Sequence, residues 1–175
     1  MRKLLVLITL STLVSVSAFC SNPEIGSMKA TLGTGVSTGR GFQLFHAAGH
    51  YMLTDRIEVG LRAAYNLDNE FYSPRNSFYT KDYTYNGITF ATTGSFHVNE
   101  WLQLPSNLDL YGGLDLGMTF WSNPNDASFK RKTDALFGVF AGAAYFFNNK
   151  LGASLEIGQF TNSGVNARVG VIFKL

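Results

Sequence analysis

From about residue 28 onward, bulky apolar residues alternate with small or polar ones, and no helical spacing is sustained. Residues 164–175 set Val165, Ala167, Val169, Val171, Phe173 and Leu175 against Asn166, Arg168, Gly170, Ile172 and Lys174. In 56–67, Ile57, Val59, Leu61, Ala63, Tyr65 and Leu67 oppose Glu58, Gly60, Arg62, Ala64 and Asn66. In 107–121, Leu108, Leu110, Leu114, Leu116, Met118 and Phe120 alternate with Asp109, Tyr111, Asp115, Thr119 and Trp121. This period of two predicts eight strands, at 28–36, 42–53, 56–67, 83–98, 107–121, 134–147, 151–161 and 164–175. Prolines at 23, 74, 105 and 124 all fall in connections, as expected of residues that cannot donate to a ladder.

The connections alternate in character. Joins at 54–55, 99–106 and 148–150 read as mostly tight turns, whereas those at 37–41, 68–82, 122–133 and 162–163 include the two long ones. Most strands reach the ~9–11 residues that a tilted strand needs to cross a bilayer. After residue 18 no stretch is apolar and long enough for a membrane helix. A membrane span by this chain therefore requires a closed barrel, which satisfies every backbone N–H and C=O within itself. An even strand count, with tight turns at one end and longer loops at the other, is the layout of such barrels.

Which face meets lipid follows from residue size. The charged face is rich in Gly, Ala and Ser, as a narrow lumen requires, while the other face is bulky. Tyr51, Tyr65, Phe120, Tyr145 and Phe147 near the strand ends are candidates for interfacial aromatic girdles. The expected fold is all-β: an antiparallel eight-stranded up-and-down transmembrane β-barrel.

The segment before the strands has a different character. Met1-Arg2-Lys3 is a positive start, Leu4 to Val16 is an apolar run, and Val16-Ser17-Ala18 offers the small residues of a cleavage site. Residues 1–18 thus read as an export signal, 19–27 as a short N-terminal segment and 28–175 as the barrel. Removing Arg2 and Lys3 from the 14 basic residues leaves 12 against 12 acidic ones, so the exported chain carries no net charge. That argues against a nucleic-acid partner, which would need a basic face. Cys20 is the sole cysteine and excludes an internal disulfide; as a lipidation site it is disfavoured by Phe19 directly before it.

Candidate chemistry is concentrated on the inward face. Lys29, Glu58, Arg62, Asp109, Asp115, Glu156, Arg168 and Lys174 all point there, and Glu58, Arg62, Asp109, Asp115, Glu156 and Arg168 form the expected lumen ion-pair network. Counting back from the 162–163 connection places Glu156 opposite Arg168. His46 and His50 share the inward face of one strand but stand about 13 Å apart along it, too far to share a zinc ion. No metal or other cofactor is expected. Ser95 and His97 share a face, with Glu100 following, which leaves a lipid-modifying enzyme as an alternative, although no nucleophile elbow is present. A narrow pore is the other alternative. Loop 68–82 repeats Phe71-Tyr72-Ser73 as Phe78-Tyr79-Thr80, and Phe71, Tyr72, Arg75, Phe78 and Tyr79 are candidate contacts for a surface ligand. Lys130-Arg131-Lys132 is a candidate contact for anionic lipopolysaccharide.

The segment Arg168-Val-Gly170-Val-Ile-Phe173-Lys-Leu175 resembles the signal by which the barrel assembly machinery recognises a terminal strand, with Leu175 where an aromatic is usual. Gly142-Ala-Ala-Tyr145-Phe-Phe-Asn-Asn-Lys150-Leu-Gly152 and His50-Tyr51-Met-Leu-Thr-Asp-Arg56 are similar to strand–turn–strand units of the small OmpX/OmpA-like, porin-family barrels of Gram-negative bacteria. The resemblance spans residues 28–175 and implies a protein of the cell outer membrane. It implies no activity, since the fold hosts adhesins, enzymes and structural proteins alike. The expectation is therefore a non-enzymatic protein that supports the envelope or makes surface contacts through its loops, its lumen plugged by ion pairs.

Overall fold

The computed structural model describes residues 25–38, 41–72, 81–123, 130–161 and 163–175, with the side chains of 69–72 and 81–83 outside the description. The proposed export signal, Cys20, Arg75, Phe78 and Tyr79 lie outside the described residues.

The alternating segments form β1 (Met28–Ser37), β2 (Phe42–Met52), β3 (Ile57–Tyr72), β4 (Lys81–His97), β5 (Leu108–Ser122), β6 (Asp134–Phe146), β7 (Leu151–Phe160) and β8 (Gly164–Lys174). Each pairs antiparallel with its sequence neighbours, and β8 returns to β1 to close the barrel. The closing seam runs from Lys29↔Lys174 to Ser37↔Asn166. Closure leaves no free sheet edge along this wall.

Side chains sort by face. Leu61, Phe90 and Leu32 on the outside are 69 %, 57 % and 56 % exposed, the reverse of a water-soluble barrel. Inside, small residues make room for rings that cross the lumen. A Cβ at Gly138 would overlap the Phe160 ring, and one at Gly142 would overlap Tyr111. These glycines are set by what stands opposite them.

Two connections differ from expectation. The 68–82 loop is shorter than the polar sequence implies: β3 and β4 continue as a paired ribbon from Asp68↔Tyr85 to Tyr72↔Lys81. Phe71 and Tyr72 are therefore strand residues, and the connection is 73–80. Their neighbours stop short, β2 at Phe42↔Leu67 and β5 at Ser122↔Asn86. Beyond those points no strand among the described residues flanks the ribbon on either side, and the apolar/polar alternation that marks the other strands is lost. The 99–106 connection contains a helical turn, α1 (Asn99–Leu102). Gln103 ends it with φ 50°, and Leu104 N–H bonds back to the Asn99 carbonyl at 3.1 Å. Four residues are too few for helical periodicity to register in a sequence.

Candidate functional site: the lumen

Strand register decides which charges meet. Arg62 on β3, Asp115 on β5, Glu156 on β7 and Arg168 on β8 converge across the middle of the lumen. Arg62 Nη1 lies 3.3 Å from Asp115 Oδ2 and 3.0 Å from Glu156 Oε2. Arg168 Nη1 lies 3.0 Å from Asp115 Oδ2, and its Nη2 lies 3.0 Å from Glu156 Oε2. Cations and carboxylates thus alternate in a closed ring, each charge facing two of opposite sign. Tyr111 adds a hydroxyl donated to Glu156 Oε1 at 3.1 Å. The Phe140 ring lies under both guanidiniums, 5.5 Å from Arg62 Cζ and 5.4 Å from Arg168 Cζ. All four charged residues are buried, where an unpaired charge would be strongly destabilising.

A second tier lies nearer the short turns. Lys29 on β1 pairs with Glu58 on β3 and reaches Asp109 Oδ2 on β5 at 3.5 Å. His50 Nδ1 approaches Glu58 Oε1 at 3.1 Å. His97 stands between two carboxylates, with Nδ1 2.6 Å from Asp109 Oδ1 and Nε2 3.6 Å from Glu58 Oε2. Asn99 of α1 donates to Asp109 Oδ1 at 3.0 Å and accepts from the Leu110 N–H at 2.8 Å. Lys174 has its ammonium 4.1 Å from the centre of the Phe146 ring.

Directly above the ring stand uncharged polar side chains. Asn66 donates to Thr89 at 2.9 Å, and the Thr89 and Thr119 hydroxyls are 2.8 Å apart. A cavity of about 50 Å³ opens here, lined by Gln43, Asn66, Thr119, Trp121 and Asn166, with Arg62, Asp115 and Arg168 at its base. That volume suits a few water molecules. Arg131 stands over the mouth. Its guanidinium lies 4.5 Å from the Tyr85 ring and 4.8 Å from that of Trp121, and it pairs with Asp68. Asn123 holds the Arg131 backbone from both sides, at 2.9 and 2.6 Å. Of the basic run expected at the surface, Lys130 and Lys132 are exposed, whereas Arg131 turns inward. Nothing in a three-residue charge run distinguishes its middle member.

The structure thus brings together Glu58 with Asp109, and Arg62, Asp115, Glu156 with Arg168. Sequence reasoning missed the roles of Asn99, Tyr111 and Arg131. His46, His50 and His97 all face the lumen, and among the described residues no group of three or more His, Cys, Asp or Glu is arranged to hold a metal ion. Ser95 and His97 are buried on the lumen side of the wall. Both ring nitrogens of His97 face carboxylates rather than Ser95.

No family profile matches the chain, and no curated protein does. Solved structures do match. The N-terminal β-barrel domain of Pseudomonas aeruginosa OprF has a TM-score of 0.63 at 16% identity, over 87% of this chain and 100% of that one. The outer membrane protein OprG from Pseudomonas aeruginosa has a TM-score of 0.68 at 11% identity, over 89% and 99%. Neisserial surface protein A has a TM-score of 0.57 at 13% identity, over 85% and 95%. With its closed eight-stranded sheet and apolar outer wall, the chain has the fold of these small eight-stranded outer-membrane β-barrels. At such identities the likeness establishes the fold, and activity has to be argued from the lumen and the loops.

Proposed function

We propose that the protein is a non-enzymatic component of the outer membrane, a plugged cylinder that supports the envelope and makes surface contacts through its extracellular loops. The observation that carries this is the tiered lumen. Two ion-paired layers and the Arg131 closure occupy a bore that in an eight-stranded barrel is only about wide enough for side chains. Such packing disfavours a pore. A lipid-modifying enzyme is disfavoured because Ser95 and His97 face the lumen. The contacts belong to the 73–80 connection, with Arg75, Phe78 and Tyr79, and to the exposed Lys130 and Lys132, which suit the phosphates of lipopolysaccharide. β8 is the segment offered to the barrel assembly machinery.

Single-channel recording in planar bilayers tests the plug. No stable conductance is expected, and reproducible current steps would overturn it. Deletion of 73–80, scored for adhesion, envelope permeability and drug sensitivity, tests the loop role; a deletion strain indistinguishable from wild type in all three would remove it.

A further inference from the structure

The turn between β4 and β5 carries an exposed apolar surface that the lumen does not explain. Trp101 and Leu102 of α1 are 64 % and 56 % exposed. They lie at the end shared by the 53–56 and 147–150 turns and by Met28 and Leu175, which is the periplasmic end in the outer-membrane layout. Trp101 does not fold under the barrel. Its ring leans on Phe96 at 5.2 Å, and Phe96 belongs to the lipid-facing wall, because its neighbours Ser95 and His97 point inward. The indole therefore continues that wall beyond the last strand pair. Arg56, from the neighbouring turn, stands 5.5 Å above the same ring and donates from Nε to Glu100 Oε2 at 2.8 Å. Asn99, buried on the opposite side of the turn, ties α1 to Asp109 and to the backbone of β5. The turn is held from within and presents Trp101 outward, with Leu102 exposed beside it.

We propose that α1 is an interfacial anchor, with Trp101 and Leu102 inserted at the glycerol level of the periplasmic-leaflet phospholipids. The proposal rests on the membrane-barrel reading and goes beyond it by naming the lipid and the level. Three features support it. The surface is continuous with the lipid-covered wall through Phe96. An indole combines an apolar body with an N–H donor, the chemistry favoured at a bilayer interface. Among the described residues the cation stacked on this ring is Arg56, already neutralised by Glu100, so the surface suits a zwitterionic phospholipid and does not require an anionic one.

The chain has two tryptophans, and Trp121 is inside the mouth of the lumen, so the signal of Trp101 is the wild-type emission minus that of Trp101→Phe. Both proteins are refolded into phosphatidylcholine vesicles and checked for a heat-shifted band on SDS gels. Phosphatidylcholine brominated near the glycerol should reduce the Trp101 emission more than lipid brominated near the chain ends, and aqueous iodide should hardly affect it. Adding phosphatidylglycerol should leave this quenching unchanged. A folded, heat-shifted barrel whose Trp101 is quenched by iodide and by neither lipid overturns the anchor alone. Stronger quenching from the bilayer centre overturns its level, and quenching that requires anionic lipid overturns the choice of partner. If neither protein gives a heat-shifted band, the barrel reading falls and the anchor with it.

Discussion

Asp115 is 1 % exposed and touches both arginines of the central ring, so neither it nor Glu156 can be removed without leaving buried positive charge. Substituting Glu156→Leu takes one carboxylate from Arg62 and Arg168 and the acceptor from Tyr111. Breaking a buried pair in this way costs about 3–5 kcal/mol. Urea unfolding in vesicles, followed by tryptophan emission, should show a markedly lower midpoint; an unchanged midpoint would mean that the ring does not hold the barrel together. Part of this ring was legible in the sequence. A short connection at 162–163 fixes the β7–β8 register, and Glu156↔Arg168 follows by counting. The contacts of Arg62 and Asp115 with that pair were not legible, because they cross the bore between strands that are not neighbours, and alternation carries no information about what meets across a lumen.

The elements were readable wherever lipid on one side and lumen on the other impose a period of two. They were not readable where that constraint lapses. The β3–β4 ribbon beyond Asp68↔Tyr85 has lost it, and α1 is a single turn. The connection that ends at β6 belongs to the same group: its sequence reads as a solvated basic run, yet Arg131 reaches back to Asp68 and lies between Tyr85 and Trp121. Among the described residues, it is the Arg131 side chain that lies across the extracellular mouth. Arg131→Ala should uncover Trp121, so that in a Trp101→Phe background its emission becomes quenchable by iodide added outside the vesicles. Conductance should remain absent, since the two charged tiers below are untouched. Equal quenching with and without Arg131 would show that the mouth is not closed by this residue.

At the scale of the whole molecule, the sequence carried the architecture because closure makes a single demand on every strand. The purified protein should migrate on SDS gels at two positions, folded without heating and unfolded after boiling, and should be recovered with the outer-membrane fraction. Release by osmotic shock would contradict the lipid-facing wall. The activity was not legible in the same way, because lumen packing and loop contacts depend on particular side chains meeting across space.

The β1–β8 seam has a further consequence. Leu175 N–H bonds to the Met28 carbonyl at 3.0 Å, so the first and last strands finish side by side at one rim. A closed ring of strands has no privileged starting point. A circular permutant that links Leu175 to the residues before Met28 and opens the exposed turn between Asn149 and Lys150 should refold in detergent to the same heat-shifted barrel. It would make β8 the second strand of the chain and β6 the last, so its refolding yield reports on ring closure, whereas its yield in cells reports on whether β8 must come last to be delivered.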